Sequence, residues 1–543
     1  MLSGIFSKPI RNRTHEKLIV GIFSEASTMI GQTNKATSYA IVKGHASEGW
    51  KSKNRNMTRK IQMQQPSPLF FTVMLLVSIA SLGAADARQS LDKPNILLIF
   101  ADDWGWGDMS LHNSPYLRTP NLDKLFAQGT EFYQFHVNSP VCSPSRAALC
   151  TGQFPGRNKV FWIYENVHNN RKYGLNDWLD PEVVMLPRLM KNAGYVTGHY
   201  GKWHLGDPVH APTLDKYGID DGRCWNGPPP ATWGHDAVYQ QTMDFIRKHK
   251  DVPFFMNLWT REPHTPHWLH NETLELPWIK KLPEDERVYA AVAWEADQWI
   301  GKIMDLLKEL DLEKNTIVVF SSDNGPEETG QDTEKNRIMN TRSFRQPRMV
   351  DGKRQQVSIP MNGYGTYYSR GTTGEQKGKK RSLFGGGVRT PFAIRWPGQI
   401  PAGRIDKKSF ISAVDMLPTL CAIVGAPLPD GYHPDGENVL AALLGKEFKR
   451  NKPILWENHV TSHGDTWPQL AVVKDQWRLV MTKDSSRLEL FNLFDDWEEQ
   501  TNLAINHPAI VNELKSIALD YNKSLPSLQS FDEHLCAPKA PKP

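Results

Sequence analysis

The apolar residues of this 543-residue chain gather in short unbroken runs, separated by stretches in which they recur every three or four positions. The run from Asn95 to Phe100, bounded by Pro94 and the pair Asp102-Asp103, predicts a strand buried on both faces that ends in two carboxylates. Further strands are predicted over 195–199, 254–258, 316–321 and 392–395, and helices over 121–128, 186–193, 235–249 and 284–310. This alternation predicts an α/β fold, a mixed, largely parallel sheet flanked by helices. Open sheets of this kind bind ligands at the C-terminal ends of their strands, where Asp102 and Asp103 fall.

From about Leu444 the pattern changes to short alternating runs with tight connections, at 453–456, 470–473, 477–481 and 488–492, followed by a helical stretch at 508–521. A smaller antiparallel sheet with one packed helix is expected there. The expected division is a main domain over 88–443, a small α+β domain over 444–536 and a disordered tail over 537–543. No internal repeat is present. The stretch from Pro326 to Arg381 is long for a loop inside a compact domain and holds twelve Lys and Arg against six acids. It reads either as solvated charge or as a lid over an anionic substrate.

The net charge of +5 is concentrated at the N-terminus. Residues 1–56 carry nine Lys and Arg against three Glu without hydrophobic periodicity, and are expected to be a disordered or misassigned extension, with Met57 the true start. Residues 57–87 read as an export signal: Arg59 and Lys60, an apolar core from Leu69 to Leu82, then Ala85-Asp86-Ala87. The alternative, a membrane anchor, is disfavoured because a segment of fourteen residues is short for a span. Without residues 1–87 the chain holds 53 Lys and Arg against 55 Asp and Glu, so bulk charge gives no basis for nucleic-acid binding. The expected location is periplasmic or extracellular, or the secretory pathway and lysosome of a eukaryote, with no stable membrane span after signal removal. Disulfides among Cys150, Cys224, Cys421 and Cys536 are permitted there, but the wide scatter makes free thiols an equal expectation.

Several residues carry candidate chemistry. Asp102, Asp103, Asp323 and Asn324 all end predicted strands, and four oxygen ligands without thiolate or imidazole favour a hard cation, although Asp-Asn-Gly is also ordinary turn sequence. Cys142 precedes Pro144 and Arg146 at the mouth of a predicted helix, so that helix N–H groups and a guanidinium face its sulfur. His204 follows Lys202 by two residues on a segment read as extended, which would point both side chains the same way. His264 lies between prolines in a non-helical loop, and either histidine can carry protons near neutrality. His199, His267 and His270 are weaker candidates, and Lys379 rivals Lys380. Trp104, Trp106, Trp225 and Trp233 offer flat faces suited to sugar rings, and the turn-rich stretch 224–235 a plausible rim, although most tryptophans are expected in the core.

The segment Ser139 to Gly152, with Cys142-Ser-Pro-Ser-Arg146, and the segment Gly194 to Gly206, with Lys202-Trp-His204, resemble the two signatures of the type I sulfatases. Pro94 to Asp103, Pro263-His-Thr-Pro266, Ser322-Asp-Asn-Gly325 and Lys380 to Pro391 match further family motifs in the family's order, across about residues 94 to 500. The motifs most resemble those of arylsulfatases and N-acetylgalactosamine-6-sulfatases. The resemblance implies an alkaline-phosphatase-like fold, with Cys142 oxidised to Cα-formylglycine by a formylglycine-generating or other sulfatase-maturing enzyme. It further implies Ca²⁺, with Mg²⁺ the alternative, held by Asp102, Asp103, Asp323, Asn324 and the group derived from Cys142. Arg146, Lys202 and Lys380 become clamps for sulfate and formylglycine, with Lys202, His264 and Lys380 on the substrate. His264 with Lys380 assists the departing alcohol, and His204 takes the proton that lets sulfate leave. Two positions depart from the pattern: Gly385 stands where many relatives carry Glu, and Cys150 where an aliphatic residue is usual.

The implied activity is hydrolysis of sulfate esters, on a sulfated carbohydrate or an aryl sulfate. A phosphodiesterase or phosphonate monoester hydrolase of the same superfamily is the second reading, disfavoured by the Lys202–His204 signature. An inactive carbohydrate-binding relative is the third, disfavoured because no proton carrier or metal ligand is missing.

Overall fold

Asn95 has Pro94 before it and six apolar residues after it, and this run forms the fully buried strand β1 (Asn95–Ala101). Its alternate side chains feed two cores: Ile96, Leu98 and Phe100 enter one, Leu97, Ile99 and Ala101 the other. A strand buried on both faces needs cover on both sides, which the helices supply. The computed structural model describes residues 93–207, 209–225, 236–329, 331–337, 343–350, 353–360, 363–458, 467–527 and 532–537. The expected extension 1–56, export signal 57–87 and the tail beyond Ala537 lie outside these residues, as do Trp233 and most of the 224–235 rim. All described residues belong to one compact unit.

The central sheet has eight strands: β1, β2 (Thr130–Phe132), β3 (Val196–Lys202), β4 (Asp221–Trp225), β5 (Phe254–Trp259), β6 (Thr316–Ser322), β7 (Ala393–Arg395) and β8 (Arg404–Asp406). Their order is β8-β2-β7-β6-β1-β5-β3-β4, and only β7 runs against its neighbours. Helices α1 (Pro120–Ala127), α2 (Cys142–Thr151), α3 (Leu186–Asn192), α4 (Ala237–Lys248), α5 (Glu284–Glu309) and α6 (Met416–Val424) cover it. Leu122, Tyr239 and Ala293 bring α1, α4 and α5 to one face, and Ala147, Leu189 and Leu417 bring α2, α3 and α6 to the other. The 26-residue α5 opens on Glu284, Asp285 and Glu286, acids that suit the positive end of its dipole.

The C-terminal strands β9 (Ile454–Glu457), β10 (Leu470–Lys474), β11 (Trp477–Met481) and β12 (Leu488–Asn492) form an antiparallel meander, followed by helix α7 (Pro508–Ser524). Trp456, Val472 and Leu490 pack in the same core as Ile96 and Ala147, so this sheet shares the hydrophobic interior of the central one. The segment 326–381, expected as a long loop, contains an antiparallel hairpin of Ser343–Val350 with Lys353–Pro360. The five cysteines are unpaired. Among the described residues no helix is long and apolar enough to cross a membrane.

Glu457, at the end of β9, is buried and accepts a 2.7 Å hydrogen bond from the Tyr521 hydroxyl of α7. Burial pushes its carboxyl up to about 7. The folded state therefore keeps a proton that the unfolded chain releases near its ordinary range, so this contribution to stability is complete at acid pH and lost as pH rises through about 7. Denaturant melts at pH 5 and pH 8 should show wild type losing on the order of 2 kcal/mol more than Glu457→Gln, whose amide still accepts from Tyr521. Equal losses in both proteins would place the proton elsewhere.

Candidate active site

The parallel strands β1, β6 and β3 deliver their last residues to one edge. Asp102 and Asp103 follow β1, Asp323 and Asn324 follow β6, and Lys202 is the last residue of β3. Two glycines make this convergence possible. A Cβ on Gly201 (φ +119°) would lie 1.9 Å from the Trp259 carbonyl oxygen, so only glycine lets β3 approach β5 and carry Lys202 inward. A Cβ on Gly325 would stand 1.8 Å from the Gly386 carbonyl oxygen, so the Asp323-Asn324 turn docks against the segment that follows Lys380.

Cys142 opens α2, all ten residues of which are buried. Its Sγ lies 3.3 Å from Asp102 Oδ1 and 3.2 Å from Lys202 Nζ. Burial, with the charges of Asp102 and Asp323 beside it, pushes the thiol well above its ordinary range, so as a plain cysteine it stays protonated and un-nucleophilic. One turn on, Arg146 is fully buried, with Nε and Nη2 both on Asp323 Oδ2 (2.9 and 2.6 Å) and Nη1 on the Lys202 carbonyl (2.8 Å). Its guanidinium lies over the rings of Phe100 and Trp259. Arg146 thus spends its donors tying α2 to β6 and β3.

Lys202 Nζ donates to Asp102 Oδ2 and Lys380 Nζ to Asp103 Oδ2, both at 2.6 Å. Although burial opposes it, the His264 ring and the charges of Lys202, Arg146 and Lys380 around Asp102 hold its carboxyl well below the usual range. Asp103 adopts a left-handed backbone (φ 66°), unusual for a non-glycine residue, and its Oδ1 accepts from Asn324 Nδ2 at 2.7 Å. Lys379, the rival of Lys380, turns away to the Glu328 carbonyl.

The two proton-carrying candidates differ in setting. His264 Nδ1 lies 2.5 Å from the Thr265 carbonyl and Nε2 lies 3.8 Å from Asp103 Oδ2. Its Nδ1–H is committed to the carbonyl, leaving Nε2 to exchange a proton in the pocket. Burial lowers this imidazole to about 4, with Asp102 pulling the other way. The sequence placed His204 on an extended segment with Lys202; instead β3 stops at Lys202 and His204 has φ 55°. The left-handed turn sends Nε2 to the Tyr164 carbonyl at 3.0 Å, and buried Nδ1 has no partner among the described residues. With Nε2 donating, Nδ1 carries the lone pair, and burial keeps the ring neutral by lowering it well below its ordinary range. His199 is a core residue between the Trp203 and Trp259 rings, His267 meets Ser369 and His270 meets Asp236, so none joins the cluster. Trp104 is core as well.

Donor atoms of Asp102, Asp103, Cys142 and His264 lie within 4.8 Å of one another. Asp323 borders this group, its Oδ1 accepting from the Asp103 N–H at 3.2 Å, and the buried Asn324 Oδ1 has no hydrogen-bond partner. An orphaned amide oxygen beside three buried carboxylates fits a hard divalent cation. Three groups escaped the sequence. Glu327, held down at about 2 against burial by Lys380 and Arg381, lies 3.5 Å from Lys380 Nζ and pairs with Arg381 at 2.7 Å. Its only signal was its place two residues after the Asp-Asn-Gly turn. The Tyr164 and Thr265 carbonyls orient the histidines, and a backbone atom leaves no trace in composition.

Glu499 supports the same region from the connection that follows the C-terminal meander. Its Oε2 accepts the Gly385 N–H at 2.8 Å, and its Oε1 lies 3.6 Å from Arg389 and 3.3 Å from Arg478, both fully buried. The departure at Gly385 therefore leaves no carboxylate missing beside this backbone.

Known proteins resemble this chain in sequence and fold. The sulfatase family model matches residues 94–426, and the model of the C-terminal region of N-sulphoglucosamine sulphohydrolase matches 376–523. An N-acetylgalactosamine-6-O-sulfatase of Bacteroides thetaiotaomicron is 26% identical over 83% of this chain and 97% of its own length. The N-acetylgalactosamine-6-sulfatase of Canis lupus familiaris is 30% identical over 71% of this chain and 72% of its own. The solved structure of Ps i-CgsB in complex with k-i-k-neocarrahexaose superposes with a TM-score of 0.65 at 25% identity, over 81% of this chain and 94% of that one. The chain belongs to the sulfatase family and is a sulfuric ester hydrolase.

Proposed function

We propose that this enzyme removes sulfate from a sulfated carbohydrate, with 6-sulfated N-acetylgalactosamine the first substrate to test, after export and after conversion of Cys142 to formylglycine. The observation that carries this reading is the seat of Cys142: the first residue of a buried helix, its sulfur between Asp102 and the Lys202 ammonium. The substrate class is supported by the two N-acetylgalactosamine-6-sulfatases above. Sulfate release from defined sulfated sugars tests it, and release from none of them would overturn it.

Asp102, Asp103, Asp323 and Asn324 would hold calcium, which together with the hydrated aldehyde at position 142 supplies Lewis acidity and a nucleophilic hydroxyl. The residues do the rest. Lys202 and Lys380 present ammonium groups to the sulfate oxygens, and Lys380 stays charged because Asp103 and Glu327 outweigh its burial. His264 Nε2 exchanges a proton with the alcohol oxygen that leaves. His204 Nδ1, a buried lone pair, accepts the proton whose loss releases sulfate. Arg146 holds Asp323 and the end of β3 in register for both.

Removal of the cation has a readout independent of turnover. In Cys142→Ala protein stripped with chelator, 1 mM Ca²⁺ should raise the melting temperature more than 1 mM Mg²⁺, by an amount that grows with free ion as RT ln(1 + [L]/Kd). The shift should vanish in Asp103→Asn. An equal shift in that variant would move the cation elsewhere.

A further inference from the structure

The edge of the sheet that carries the catalytic cluster continues sideways into a second cavity of about 850 Å³. Tyr133 directly follows β2 and Lys407 directly follows β8, and both strands run parallel to β1, so these residues emerge on the same edge as Asp102. Three strand spacings separate β2 from β1 and four separate β8 from it, which places the cavity about 14 to 19 Å along the edge.

Its wall is aromatic. Trp106 meets Tyr133 at 5.4 Å and Trp497 at 4.6 Å between ring centroids, nearly edge to face in both cases. His112 stacks on Trp106 at 3.7 Å and is held by Glu131 and the Trp106 carbonyl, so the platform is rigid. The charges lining the cavity are mixed. Lys407, 4.8 Å over the Tyr133 ring, and Lys408 are exposed ammonium groups, while Glu375 and Glu498 supply carboxylates.

This combination selects a class of ligand. An apolar molecule would need none of the charges, and a compact anion would be repelled by the carboxylates. A sulfated sugar offers an apolar ring face to the aromatics, hydroxyl donors to Glu375 and Glu498, and sulfate oxygens to the lysines. We propose that this cavity is a second saccharide-binding site that holds a sulfated sugar unit of the same chain whose sulfate is cleaved beside Cys142. The proposal rests on the carbohydrate sulfatase reading and adds that the enzyme grips an oligosaccharide at two places along one edge.

The test separates the two. A hexasaccharide carrying 6-sulfated N-acetylgalactosamine, its chemically desulfated form and a small aryl sulfate are compared on wild type and on Lys407→Ala/Lys408→Ala, two exposed positions. The variant should show about a tenfold rise in KM for the sulfated hexasaccharide and kcat/KM within about twofold of wild type for the aryl sulfate. Titration calorimetry on Cys142→Ala protein should show about tenfold weaker binding of the sulfated hexasaccharide when the lysine changes are added, and weaker binding of the desulfated form to the parent. Unchanged KM and affinity, or an equal loss on the aryl sulfate, would overturn the proposal. Failure of wild type to release sulfate from any substrate would overturn the functional reading, and the calorimetric comparison would still decide whether the cavity binds sulfated sugar.

Discussion

Cys142→Ala is expected to lower turnover of any sulfate ester by about 10⁴-fold or more, the scale seen when a nucleophile acting with its partners is removed. The fold should survive, because the side chain is small and the hydrogen-bond partners of its sulfur are Asp102 and Lys202. Truncation at such a site costs on the order of 1 kcal/mol. Circular dichroism and a denaturant melt beside the sulfate-release assay check both halves. An alanine variant with near-wild-type turnover would remove position 142 from the chemistry. An unfolded one would assign the cysteine a packing role that its contacts do not support.

Glu499→Gln should be the most damaging single change to stability. Glu499 is the carboxylate that the fully buried Arg389 and Arg478 share, with ion-pair distances of 3.6 and 3.3 Å. Burial already lowers both guanidinium groups, Arg389 to about 10, so neither tolerates losing its counter-charge. The glutamine oxygen can still accept from the Gly385 N–H, which isolates the charge from the hydrogen bond. Removing one member of a buried ion pair costs about 3 to 5 kcal/mol, and that loss is expected in equilibrium unfolding. The Gly385 segment follows Lys380 and packs on the Asn324-Gly325 turn, so sulfate release should fall with it. Unchanged stability would mean that the arginines are satisfied without Glu499.

The central strands were legible because burial on both faces demands unbroken apolar runs: β1, β5 and β6 occupy the expected positions within one residue at each end. Three-residue strands such as β2 and β8 are too short to leave a period. The strand β3 runs to Lys202, past the expected end at His199, because Gly201 looks like a break in sequence yet serves a close approach to Trp259. The left-handed turn at His204 was hidden for a related reason. A histidine with positive φ has no local signal, so its direction followed from tertiary contact with Tyr164. Asp102, Asp103, Cys142, Arg146, Lys202, His264 and Lys380 meet in one cluster, with Asp323 and Asn324 at its border. Glu327 and Arg381 were obscured by the 54 positions that separate them, which only the fold brings back together. Glu499, in an ordinary acidic run, gave no hint of its two arginines.

The chemistry at Cys142 depends on a change of one side chain, and the tryptic peptide from Leu125 to Arg146 reports it directly. Its intact mass in protein from a host with sulfatase maturation should fall by the difference between a CH₂SH and a CHO group. Sulfate release per mole of enzyme should rise in proportion to the converted fraction. A preparation in which Cys142 is entirely thiol yet sulfate release is undiminished would contradict the assignment.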